Sequence, residues 1–127
     1  MTDTAEHVAD PALVAAQNDR FRRETCLGRP LKGTPLLQGS VVCTAAIAAR
    51  GQPFVLACLA AVGSVTDFPA DNDPDGHHDF GSVEVKGETV WFKIDLYDGP
   101  GLEYGAEAPD DPSRTHRVLT ILFPSDW

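Results

Sequence analysis

The sequence predicts an α+β fold, with two helices packed on one face of a mostly antiparallel sheet of about four strands in the order α-β-α-β-β-β. Three observations carry that prediction. A capped, proline-started segment near the N-terminus has helical spacing. Two adjacent segments, Phe80 to Val85 and Thr89 to Tyr97, are rich in strand-forming residues, and the second alternates between one core face and one wetter face. The 127 residues, 43% of them hydrophobic, suffice for one core and place the chain outside the disordered class. Residues 1–9 read as a flexible leader and residues 10–127 as a single domain.

Asp10-Pro11 supplies an N-cap and a proline at the first helical position, so a helix is expected over Pro11 to Glu24. Val14 and Phe21 lie seven apart and share a face, while Arg20, Arg22 and Arg23 suit the C-terminal end of the helix dipole. Gly28 and Pro30 stop the helix, and Leu31 to Ser40 reads as a loop. Val41 to Ala48 is expected as a strand and Arg50 to Pro53 as a turn. Phe54 to Val62 is expected as a short buried helix closed by Gly63, although an apolar run of that length also fits a strand.

Thr66 to His78 is a loop. Lys86-Gly87-Glu88 joins the two best strands as a tight hairpin. In the second strand Val90, Phe92, Ile94 and Leu96 form one face and Trp91, Lys93, Asp95 and Tyr97 the other. Trp91 and Tyr97 either mark an interface or pack beneath the two loops. Asp98 to Arg114 is a second loop, and Arg117 to Phe123 a final strand ended by Pro124.

Charge narrows the function class. The formal net charge is −9, which opposes direct binding to nucleic acid or an anionic membrane and allows a basic protein partner. The charge is concentrated: residues 67–111 hold thirteen acids against Lys86 and Lys93, and the flanking stretches are each close to neutral. The hairpin joins the two loops, so an acidic surface is expected from Asp71, Asp73, Asp75, Asp79, Asp95, Asp98, Glu103, Asp110 and Asp111. A solvated acidic rim that aids solubility accounts for the same residues.

The string from Asp71 to Gly81 carries the most chemistry. Asp71, Asp73, Asp75 and Gly76 match the start of a calcium loop, with Asp79 at the ninth position, but Ser82 stands where that motif needs a bidentate Glu. A transition-metal site would use Asp73, His78 and Asp79, because imidazole and carboxylate suit Zn, Mn or Fe. No cofactor is otherwise expected. The structural alternative is a loop built from Asx turns and glycine bends, with His78 and Asp79 bonded across it. No nucleophile motif is present; a Cys–His pair such as Cys43 with His78 or His116 is conceivable, and paired carboxylates such as Asp95 and Glu103 could do acid–base work, a weak signal in so acidic a chain. No CxxC spacing occurs, and Cys43 and Cys58 sit in apolar runs as small buried side chains. The N-terminus lacks the features of a secretory signal, and the longest apolar runs fall well short of the ~20 residues of a membrane-spanning helix, so a cytoplasmic protein is expected.

Asn72-Asp73-Pro74, Gly76, His78-Asp79-Phe80-Gly81, Trp91-Phe92-Lys93-Ile94-Asp95 and Tyr97-Asp98 resemble the bacterial family called domain of unknown function 3768. Asn18-Asp19 with Phe21-Arg22 and Asp67-Phe68 upstream, and Glu103-Tyr104-Gly105 and Arg117 to Ile121 downstream, extend the likeness over about residues 17–123. Asp75 and His77 depart from the family pattern, where His and Glu are common; His78 and Asp79 fit it. The resemblance implies a small proteobacterial protein, often carried on plasmids or other mobile elements, with no assigned activity. By analogy with small acidic proteins of such elements, it implies an inhibitor of a host defence or nucleic-acid-processing complex that acts through a DNA-mimic-like surface, an anti-restriction or anti-CRISPR role included.

Overall fold

The structure is a computed structural model that describes residues 8–28 and 36–127. Most of the expected leader and the expected stop at Pro30 lie outside the described residues. Helix α1 spans Pro11–Cys26, and the Asp10 carboxylate accepts from the Ala12 amide at 3.0 Å, as an N-cap should. Strand β1 is Gln38–Cys43, helix α2 Ala45–Ala48 and helix α3 Gln52–Gly63. Strands β2 (Phe80–Val85), β3 (Glu88–Asp98) and β4 (Thr115–Leu122) follow.

The expected strand over Val41 to Ala48 is displaced and shortened. Thr44 ends β1, and its hydroxyl accepts from the Ile47 amide to start α2. The alanines in this stretch, Ala45, Ala46 and Ala48, are better helix formers than strand formers. Ile47 is the anchor of that turn and is fully buried.

The sheet order is β1-β4-β3-β2. It is mixed: β2–β3 and β3–β4 are antiparallel, but β1 runs parallel to β4, with Gln38 opposite His116 and Cys43 opposite Ile121. The α2–α3 segment and the hairpin lie between β1 and β4 in the chain, which leaves room for a parallel pairing that a tight turn would forbid. Lys86 and Gly87 both take positive φ, the two-residue turn whose twist matches a hairpin.

The core gathers on one sheet face. Phe21 and Cys26 of α1, Phe54, Cys58 and Val62 of α3, and Val85, Val90, Phe92, Ile94, Leu119 and Ile121 of the sheet form one buried cluster. Val14 and Phe21 are both fully buried, as their shared face requires. Gly81 is needed by this packing, since a Cβ there would stand 2.3 Å from the Phe92 ring. Trp91 does not tuck under the loops. It packs edge-on against Phe80 and Trp127 on the other sheet face, with ring centroids 5.3 and 6.1 Å away. Among the described residues no helix is long and apolar enough to cross a membrane.

Candidate functional site

The strand directions decide where the acids go. The hairpin turn Lys86-Gly87 sits at one end of the sheet, and Glu84 and Glu88 lie with it. The start of β2, the end of β3 and the starts of β1 and β4 share the opposite end. The loop before β2 and the loop between β3 and β4 therefore both emerge there. Eleven of the thirteen acids in residues 67–111 lie in those two loops or the last residues of β3.

Helix α1 draws the two loops together. Gln17 Nε2 donates to the Asp110 carbonyl at 3.1 Å, and the next residue, Asn18, donates from Nδ2 to the His77 carbonyl at 2.9 Å. The Asp10 amide also donates to the Asp110 carboxylate. Adjacent side chains of one helix thus hold a carbonyl from each acidic loop.

Beneath them lies Arg117 of β4, fully buried. Its Nε donates to Asn18 Oδ1 at 2.8 Å and its Nη2 to Gln17 Oε1 at 2.9 Å, while Nη1 has no partner among the described residues. Burial, with a smaller contribution from the Arg20 charge, pushes this guanidinium down to about 10. No described carboxylate pairs with it directly; the acceptors that meet it are the neutral side-chain oxygens of Asn18 and Gln17.

Arg22 is the second buried cation. It lies near the helix C-terminus, where its charge suits the dipole, and it is fully buried. It donates to Asp19 at 3.0 Å and to the Val65 carbonyl at 2.8 Å, and its guanidinium carbon lies 5.0 Å from the Phe68 ring centroid. Burial lowers its pKa, and Asp19 partly offsets that. Asp19 also meets His78 Nδ1 at 2.9 Å. The His78 ring lies flat on Phe68, centroids 4.1 Å apart, and its Nε2 faces Asp73 at 3.7 Å. The Asp73 carboxylate is buried and accepts from the His78 amide at 3.0 Å, closing the loop on itself. This bond helps hold His78 at φ 55.

The predicted acids divide by role. Asp73 is structural. Asp95 pairs with Lys93 at 2.7 Å on the face away from the helices. Asp98 accepts from Arg114 at 3.1 Å, and Asp111 accepts from the Ser113 amide and hydroxyl. Asp71, Asp75 and Glu103 are exposed. Asp79 is half-buried, and desolvation pushes its carboxyl above the usual range.

The proposed metal set is only partly assembled. Asp73 and His78 face each other, but Asp79 lines a neighbouring groove, where its histidine neighbour is His77. Among the described residues no three His, Cys, Asp or Glu side chains are grouped to hold a metal ion. Residues 80–85 are strand, so the positions that would complete a twelve-residue calcium loop are paired with β3. Cys43 lies at the end of β1 remote from His116 and the 71–79 loop, so neither Cys–His pair forms.

Sequence reasoning missed the members contributed by α1 and β4. One signal was available: Arg117 has the same parity as Leu119 and Ile121, so it had to point into the core.

The sequence model of one family, described as Protein of unknown function (DUF3768), matches residues 43–126. No curated protein and no solved structure matches the chain.

Proposed function

The chain belongs to the DUF3768 family of proteins of unknown function, and from that premise we propose that it is a small acidic binding protein whose two loops dock on a basic protein surface. The observation that carries the reading is the convergence of residues 70–79 and 99–114 on Gln17 and Asn18 of α1. Loop 66–79 contains five aspartates and no lysine or arginine. Asp71, Asp75 and Glu103 are exposed and available for a partner.

A surface of this kind presents carboxylates where a nucleic acid presents phosphates. The fitting partner is therefore a nucleic-acid-binding face of a larger complex, and the consequence of docking is competitive inhibition. Complementary charge would speed the encounter and weaken it with salt. The alternative, a metal-binding or hydrolytic centre on Asp73, His78 and Asp79, has less support, because His78 Nδ1 is engaged by Asp19.

The test is affinity capture from a bacterial lysate at low and high salt, followed by competition of the identified partner with a DNA duplex. The reading requires a basic partner that is released by salt and by DNA. A captured partner that binds equally well in high salt and alongside DNA overturns it. Thermal stabilisation by Zn, Mn or Ca that is lost in Asp73→Asn would favour the metal alternative instead.

A further inference from the structure

We propose that the groove between the 71–79 loop and Trp127 receives an arginine side chain of the basic partner. This rests on the reading of the chain as an acidic binding protein and names its central contact. The groove has a volume of about 470 Å³, and its lining combines the aromatic rings of Phe80 and Trp127 with the carboxylates of Asp71, Asp75 and Asp79.

The aromatic wall is the unusual part. Trp127 is 74% exposed, a large apolar surface left in water beside three carboxylates. It is nevertheless held in place. Its ring meets Phe80 and Trp91 edge-on at 6.0 and 6.1 Å, with interplanar angles of 86° and 79°. The turn that carries it is tied down as well: the Asp126 carboxylate accepts from the Phe123 amide at 2.9 Å and from the Thr44 hydroxyl at 2.7 Å. The indole is therefore set before any partner arrives, which lowers the ordering cost of binding.

An arginine matches both kinds of lining. Its guanidinium is flat, weakly hydrated and able to stack on an indole while its edge meets carboxylates in pairs. An ammonium is a compact, strongly hydrated charge that uses the carboxylates but gains less from the ring. A hard metal ion gains nothing from an apolar wall. A cation beside the half-buried Asp79 also returns the solvation which the fold removes from that group.

The experiment is an NMR titration of the isotope-labelled full chain with a short peptide of alternating glycine and arginine. Matched lysine and citrulline peptides serve as probes of charge and shape. The Trp127 indole N–H should shift saturably with the arginine peptide, several-fold more weakly with the lysine peptide, and not with citrulline. Trp127→Ala and the pair Asp75→Asn with Asp79→Asn, followed through the Phe80 amide, should each lose roughly tenfold in affinity, whereas Trp127→Phe should retain most of it. Arginine and lysine peptides that bind alike, with Trp127→Ala unchanged, would overturn the groove and leave a diffuse acidic surface standing. Failure of both cationic peptides to bind at low salt would remove the groove and the acidic-surface reading together. Trp127-dependent self-association without peptide would assign the groove to a second copy and overturn the proposal.

Discussion

Replacing Arg117 with methionine tests how the acidic loops are held. The side chain is fully buried, and methionine fills a similar volume without the charge. Two effects oppose each other. The fall of its pKa from the ordinary arginine range to about 10 corresponds to roughly 3 kcal/mol of cost in the folded state, mostly desolvation, which methionine removes. Against that, methionine abolishes the bonds to Asn18 Oδ1 and Gln17 Oε1 and leaves both buried acceptors unpaired, at about 1.5–3 kcal/mol for each bond from a charged donor. These losses come to about 3–6 kcal/mol, so after the relief Arg117→Met should destabilise by up to about 3 kcal/mol. Arg117→Lys should not restore stability, because one ammonium does not reproduce the fork that meets both acceptors. Urea denaturation gives the loss. Hydrogen exchange at Gly76 and Asp111, whose amides bond within the two loops, shows whether the loops loosen together. A methionine variant as stable as the parent, with both amides still protected, would refute the claim that this arginine underpins the loops.

Other residues give sharper local tests. Asp79→Asn should raise the melting temperature at neutral pH. A carboxyl whose pKa is raised by folding costs stability while it is ionised and ceases to cost as pH falls through its folded pKa, so the gain should vanish in acid; a variant gain that persists unchanged below the ordinary carboxylate range would refute this. Gly81→Ala should cost about 1–3 kcal/mol by denaturant titration, because a Cβ there meets the buried Phe92 ring at 2.3 Å. His78→Ala should cost about 1–2 kcal/mol by the same measurement, through its bond to Asp19 and its stacking on Phe68, and should speed exchange in the 71–79 loop.

Local pattern made most of the fold legible. Alternation located β2, β3 and β4 within a few residues, and Asp10-Pro11 located the start of α1. The parallel pairing of β1 was not legible, since nothing within Gln38–Cys43 encodes the direction of its neighbour. Helix α2 was missed because a run of small residues carries no period. The candidate site was half legible. The string around His78 and Asp79 stood out because histidine and aspartate are concentrated there, but its partners Asn18 and Asp19 lie about sixty residues away, and Arg117 ties to Asn18 from ninety-nine residues away. Contacts of that range are set by strand order, which composition does not reveal. The burial of Arg22 was not legible for a related reason: a cation near a helix C-terminus has a sufficient local explanation, and its packing against Phe68 is a tertiary fact.

The central claim is that the converged acidic loops form the binding surface. Its most direct test compares partner affinity for two variants that each remove negative charge: one with Asp71, Asp75 and Glu103 changed to their amides, the other with Glu84 changed to Gln at the opposite end of the sheet. The account predicts that the loop variant loses affinity by an order of magnitude or more at low salt, with a shallower salt dependence, while the Glu84 variant binds as the parent does. Equal losses in both variants, or none in the loop variant, would contradict it.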